Sequence, residues 1–144
     1  MNSPFSDNSG ATHVRILVAA DDFDLRRLLT DGLRQQGCEV IEAADGHQTL
    51  ARAIDSAPSV ILLDAIMPGM DGFDACRRLK SNERTSAVPI IFVSARNDPR
   101  SREEELRLGA DSYLAKPFRL ATLIQHVRMA IQRQAIRQLF DSVA

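Results

Sequence analysis

Five short apolar, β-branched runs alternate with longer segments whose apolar residues recur at helical spacing. This alternation constrains the fold more than any other feature of the chain. The runs are Val14–Ala20, Glu39–Ala44, Ser59–Asp64, Pro89–Ala95 and Ser112–Lys116. The central three are nearly continuous in apolar residues, as expected of parallel strands covered on both faces. Between the runs, Leu25, Leu28, Leu29 and Leu33 form one helical stripe, closed by Gly37 as a C-cap. Leu50, Ile54 and Ala57 form a second, ended by Pro58, and Phe73, Cys76 and Leu79 a third, opened by Asp71-Gly72. The fourth, Pro99–Leu108, has Asp98 as N-cap, Pro99 at the first helical position and Gly109 as the stop. It offers only Leu106 and Leu108 to a core, so a weakly anchored surface helix is predicted there. The last helix starts near Arg119, with Leu120, Leu123, Ile124, Val127 and Ile131 on one face.

A β-α pair repeated five times dictates a parallel sheet wrapped by helices and joined by right-handed crossovers. The predicted fold class is therefore α/β, a flavodoxin-like doubly wound sheet with strand order 2-1-3-4-5. The 144 residues leave room for one ordinary domain. Residues 14–130 are assigned to it, 1–13 to a flexible polar tail, and 131–144 to a helical extension or the start of a connector. With 44% hydrophobic and 26% charged residues, disorder throughout is excluded. A net charge of −1, from 18 Lys+Arg against 19 Asp+Glu, argues against direct nucleic-acid binding. The two cysteines, Cys38 and Cys76, suggest no disulfide framework and fit a reducing cytosol. Neither they nor the three histidines show zinc spacing. No apolar run approaches the roughly 18 residues of a membrane helix, and the N-terminus lacks a signal-peptide pattern. A cytoplasmic protein without membrane contact is expected.

In open α/β sheets, sites form beyond the carboxyl ends of the strands, at the point where strand order reverses. Strand 1 ends in Asp21-Asp22, strand 3 in Asp64, strand 4 at Ser94 and strand 5 at Lys116. Crowded carboxylates repel: at about 5 Å and an effective dielectric near 20, one pair costs about 3 kcal/mol. A hard divalent ion bound by oxygens offsets this, and Mg²⁺ is the usual choice. A metal beside a carboxylate, with an ammonium and a hydroxyl opposite, makes a clamp for a phosphoryl group, and the carboxylate can serve as nucleophile. The plainer alternative is that these residues merely cap strand ends in water.

The segment ILLDAIMPGMDGFDACRRLK resembles the phosphorylation-site segment of receiver domains of two-component response regulators. VPIIFVSA and GADSYLAKPF are similar to the hydroxyl and Lys-Pro segments of the same family. The spacing also fits, 30 positions from Asp64 to Ser94 and 22 from Ser94 to Lys116, and the likeness covers roughly Arg15 to Arg128. The resemblance implies that Asp64 is the phosphoacceptor for a sensor histidine kinase or phosphotransfer protein. It implies Mg²⁺ bound by Asp21, Asp64 and the backbone carbonyl of Ile66, with Asp22 as a candidate further ligand. Ser94 and Lys116 would contact the phosphoryl group, Ser94 and Tyr113 would act as the switch pair, and Lys116-Pro117 would be a cis peptide. The signal would pass through the face made by the fourth helix, fifth strand and fifth helix to a downstream protein or an output domain outside this sequence. The fold would catalyse only its own phosphorylation and dephosphorylation.

One departure stands out. The family carries two adjacent acids after strand 1, and the ungapped register puts Ala20 at the first and Asp21 at the second. A one-residue bulge would instead restore the pair as Asp21-Asp22. The loss should weaken Mg²⁺ binding, and it leaves open a degenerate receiver that works as a phosphorylation-independent interaction module. A dehalogenase-like phosphatase is a third reading, from Asp22-Phe-Asp24, but only Asp141 remains downstream to supply its further acids. Ile66 and Arg96 occupy positions that tune water access in this family. Cys76 reads as core and Cys38 as structural or half exposed. His47 and His126 read as surface residues, and His13 as part of the tail. Ile131, Ala135, Ile136, Leu139 and Phe140 suggest a partner-facing stripe, with a homodimer as one option.

Overall fold

A computed structural model describes residues 5, 14–95, 103–104 and 106–143. Five strands form one parallel sheet: β1 (Arg15–Ala19), β2 (Glu39–Ala43), β3 (Val60–Asp64), β4 (Ile90–Ser94) and β5 (Ser112–Ala115). Their order is β2-β1-β3-β4-β5, as predicted. The register pairs Val18 with Leu62 and Glu42 across β1, Leu63 with Phe92 and Asp64 with Val93 across β3 and β4, and Ser94 with Ala115 across β4 and β5. Every residue of β3 and β4 is buried, which is why those runs carry no polar alternation.

Four long helices lie among the described residues: α1 (Phe23–Gln35), α2 (Gly46–Ser56), α3 (Gly72–Ser81) and α4 (Leu120–Val143). The first three are each opened by an aspartate whose side chain accepts a backbone N–H three residues on: Asp22 from Leu25, Asp45 from Gln48 and Asp71 from Asp74. Gly37, at φ 90°, ends α1 as expected. The helices split into two layers. One core cluster sets Ala53, Ala75, Cys76 and Leu79 against Leu17, Ile61, Leu63 and Phe92. The other sets Leu29, Leu33, Leu123 and Val127 against Ile16, Val18, Leu62 and Ile91.

Three placements refine the sequence reading. Phe5, in the segment expected as a flexible tail, is buried in the second cluster. Cys38, expected to be structural or half exposed, is buried, and burial pushes its thiol up to about 11. The predicted fourth helix falls partly outside the described residues, including Arg96, Asp98 and Pro99; Glu103, Glu104, Leu106 and Arg107 are helical. Leu108 packs against the first cluster while Leu106 stays exposed.

The last helix runs unbroken past the body of the fold. Leu123, Val127 and Ala130 are buried, whereas Met129, Ile136, Leu139 and Phe140 are exposed. Its second half is tied to the start of β5: Arg133 donates to the Asp111 carbonyl at 3.0 Å, and Arg137 to the Asp111 carboxylate at 2.5 Å. His126 meets the Ser112 hydroxyl at 3.1 Å, and burial with Arg133 nearby lowers its pKa.

Candidate functional site

The site lies beyond the carboxyl ends of β1, β3, β4 and β5. Asp64 is the last residue of the central strand, and only 4% of its surface is exposed. A carboxylate this deep needs partners, because an unpaired buried charge is costly. Each of its oxygens has one. Oδ1 accepts the Ile66 amide at 3.1 Å, and Oδ2 accepts from Lys116 Nζ at 3.0 Å. The local chain forces the first contact: after Asp64 the backbone turns at once, and Ala65, Met67 and Met70 are buried while Ile66 faces outward. Gly72 then returns to the strand end, its amide donating to the Ala65 carbonyl at 3.0 Å. A Cβ there would lie 2.3 Å from the Asp64 carbonyl oxygen, so only glycine lets α3 start so close to the acceptor strand.

Ser94 ends β4, one strand over, and is buried. Its carbonyl accepts the Lys116 amide at 2.8 Å, which fixes where the lysine leaves β5. The Lys116–Pro117 peptide is cis. Tyr113 stands on β5 opposite Phe92 and packs, half-buried, against the first core cluster.

At its carboxyl end β1 stays in regular pairing with β2 and β3 through Ala19. Ala20 is buried, still paired to β2 through its amide and the Ala43 carbonyl at 3.0 Å. With Asp64, Val18, Leu25, Leu29, Leu62 and Val93 it lines one narrow gap that has no room for a water molecule. A methyl thus lines the gap beside the acceptor, and β1 pairs with its neighbours without a bulge. Asp21 is exposed, and Asp22 is engaged as the α1 N-cap. Asp22-Phe-Asp24 therefore opens a helix on the surface, with all three residues exposed. Among the described residues, no three acidic, histidine or cysteine side chains gather as a metal cluster. The oxygen donors at these strand ends, the carboxylates of Asp64 and Asp21 with the Ile66 carbonyl, are of the hard class that Mg²⁺ takes with waters completing its shell.

Two contributors were not singled out from the sequence. Gly72 reads in the sequence as a bend in the loop after Asp64 and as a helix start; its close approach to Asp64 depends on a fold that brings α3 back to β3. Arg26 was not singled out at all, yet its guanidinium donates to the Ala20 carbonyl at 2.7 Å and reaches the Asp21 carbonyl at 3.5 Å.

A small doubly wound domain with a buried carboxylate–lysine pair at the strand ends is the class of protein defined so far. The sequence profile of the response regulator receiver domain matches residues 16–128, and the chain belongs to that family. It is 39% identical over 127 residues to the transcriptional regulatory protein PrrA of Mycobacterium tuberculosis, covering 88% of this chain and 54% of that protein. To the DNA-binding response regulator MtrA of the same species it is 39% identical over 119 residues, covering 83% and 51%. The chain therefore spans about half the length of these relatives. The receiver domain of the sensor histidine kinase PA1611 from Pseudomonas aeruginosa superimposes with a TM-score of 0.77. It is 33% identical, with 83% of this chain and 98% of that one covered, and it carries a magnesium ion coordinated in its active site cleft. Receivers of this family generally bind Mg²⁺ and act as signalling switches alongside histidine kinases and output domains. The expectation of no nucleic-acid partner does not fit this group, since MtrA is named as DNA-binding. The balanced charge of this chain bears on its own residues and not on the remainder of a longer relative. No described helix is long and apolar enough to cross a membrane.

Proposed function

We propose that this chain is a phosphorylatable receiver in which Asp64 accepts a phosphoryl group from the phosphohistidine of a sensor kinase or phosphotransfer protein. The observation that carries this reading is the buried Asp64 carboxylate at the end of the central strand, with one oxygen on Lys116 Nζ and the other on the Ile66 amide. A carboxylate oxygen forms the new bond to phosphorus as the donor's P–N bond breaks, and that bond's electron pair leaves with the imidazole nitrogen. Asp64 loses its charge in becoming the acyl phosphate, so the Lys116 ammonium passes to the phosphoryl oxygens, which bring their own negative charge to the site. Ser94, one strand over, donates its hydroxyl to the same oxygens, and Tyr113 follows as Ser94 moves. Mg²⁺ would be held by Asp21, Asp64 and the Ile66 carbonyl, and when bound it supplies positive charge for the equatorial oxygens of the in-line transfer.

Phosphorylation then shifts the population of two arrangements of the face made by the segment around 103–108, β5 and α4. A downstream protein, or an output domain in a longer form of the protein, reads that face in the cytoplasm. The longer relative MtrA is a DNA-binding response regulator.

A second reading rests on Ala20. Its buried methyl beside Asp64 removes one carboxylate from the metal's surroundings, which favours an interaction module independent of phosphorylation. Intact mass after incubation with a small phosphodonor and Mg²⁺, beside Asp64→Asn, separates the two. Gain of one phosphoryl group by the parent alone is expected. No gain at millimolar Mg²⁺, with the fold intact, selects the second reading.

A further inference from the structure

The β1–α1 connection is fixed on both sides of one residue. Before Asp21, the Ala20 amide is still bound to the sheet at Ala43, 3.0 Å away. After it, Asp22 is committed to α1: its carboxylate accepts the Leu25 amide at 3.1 Å and its carbonyl the Arg26 amide at 2.9 Å. Between these anchors, the Arg26 guanidinium turns back from the first turn of α1. One of its nitrogens donates to the Ala20 carbonyl at 2.7 Å and lies 3.5 Å from the Asp21 carbonyl.

The guanidinium is itself held. Its Nε donates to Glu42 of β2 at 3.2 Å, with the arginine side chain 14% exposed and the glutamate 25%. The ring of Phe23 lies 5.6 Å from its central carbon. Arg27 meets the other Glu42 oxygen at 3.3 Å but touches neither carbonyl of the connection, pairing instead with Asp31 at 3.1 Å. Two neighbouring arginines thus share one carboxylate, and only one of them reaches the site.

We infer that Arg26 is a positioning residue for Asp21, holding the β1–α1 backbone so that this single remaining carboxylate is presented to a metal ion beside Asp64. The inference rests on the proposed metal-dependent reading of the site. With Ala20 in place of an acid, nothing on the neighbouring residue shares the task. Backbone placement of Asp21 therefore decides how well the site closes on a cation. Arg26 suits the role because a guanidinium fork can serve a carboxylate and a carbonyl at once, which a lysine ammonium on a flexible stem does less well. Groups that orient a ligand from behind typically change metal affinity about tenfold or more when lost.

The sign of the effect separates positioning from simple charge. Arg26 is a cation near a cation site, so by charge alone its removal tightens Mg²⁺ binding. By positioning, its removal weakens it.

The experiment is calorimetric titration of the full chain with MgCl₂ alone, with thermal unfolding of each variant in metal-free buffer. Arg26→Ala is expected to weaken Mg²⁺ about tenfold. Arg26→Lys, which keeps the charge and one carbonyl contact, falls between. Arg27→Ala, which loses Glu42 without touching the connection, keeps the parental affinity. If Arg26→Ala unfolds, Arg26→Lys against Arg27→Ala carries the comparison. Unchanged or tighter binding in the Arg26 variants, with Asp64→Asn still weakening it, overturns the inference and leaves the site standing. If the parent binds no Mg²⁺, or Asp64→Asn binds as the parent does, the metal reading itself fails and takes this inference with it.

Discussion

Lys116 Nζ reaches Asp64 Oδ2 at 3.0 Å although β4 runs between the strands that carry them. The contact spans 52 positions of sequence and one whole strand of the sheet. Lys116 stands just past the end of β5, where its amide is bonded to the Ser94 carbonyl at the end of β4.

Lys116→Met leaves the Asp64 carboxylate without its cation. Stability should fall by about 1–3 kcal/mol, below the full cost of breaking a buried pair because the lysine is 28% exposed. Adding Asp64→Asn should recover most of the loss, since the orphaned charge goes with it. Denaturant unfolding of the two single variants and the double variant measures this; strictly additive losses would show that the pair is not coupled. The rate of phosphorylation by a small phosphodonor should drop about a hundredfold or more in Lys116→Met, as when one oxyanion donor is removed.

Ala20→Asp tests the missing acid directly. A carboxylate at this buried position faces Asp64, so the metal-free protein should lose about 1–3 kcal/mol by repulsion. Millimolar Mg²⁺ should return that stability and bind more tightly than in the parent. Melting curves with and without MgCl₂ decide it. A variant destabilised equally in both buffers would mean that position 20 does not face the cation site.

Gly72→Ala should damage both fold and site. The new Cβ would meet the Asp64 carbonyl oxygen at 2.3 Å and the Ala65 Cα at 2.8 Å, and these are backbone atoms that cannot swing away. We expect a loss of about 2–3 kcal/mol, with slower phosphorylation of the surviving folded protein. Gly69→Ala, in open space at φ +74°, should cost only about 1 kcal/mol of backbone strain. Equal melting temperatures for the two variants would contradict the close approach of α3 to β3.

Cys38 sets an alkaline limit. Its thiol is raised from 9.0 to about 11 because burial disfavours the thiolate. The folded state therefore holds its proton where the unfolded chain releases it. This stability is complete below pH 9.0 and is lost as pH rises towards about 11. A span of about two pH units corresponds to at most about 3 kcal/mol. Cys38→Ala should flatten that part of the stability–pH curve; a slope unchanged by the substitution would assign it to other groups.

The parallel sheet was legible because β3 and β4 are apolar up to their last residues, Asp64 and Ser94, and α1, α2 and α3 each carry an apolar stripe at helical spacing. Asp64, Ser94 and Lys116 were legible because a parallel sheet puts strand ends on one rim. The fate of Asp22 was less so: as a carboxylate after a strand it reads equally as ligand or as cap, and only the start of α1 at Phe23, which brings the Leu25 amide to its side chain, settles its use as a cap. Phe5 was missed because a single aromatic in a polar tail has no period. Arg26 was missed because its partners on the β1–α1 connection are backbone carbonyls, which sequence does not display.

The clasp of Arg133 and Arg137 on Asp111 joins the far half of α4 to the first residue before β5. Because that half is continuous with the core-packed half, the 131–143 stretch is a rigid arm carried by the domain. At 1.5 Å per residue the stretch is about 20 Å long, so a tilt of the whole helix by about 10° moves its tip by about 3 Å relative to Ala130. Ile136, Leu139 and Phe140 ride on that arm. A shift at the β5 edge too small to alter the body's outline would therefore be written at larger scale in the position of three apolar side chains.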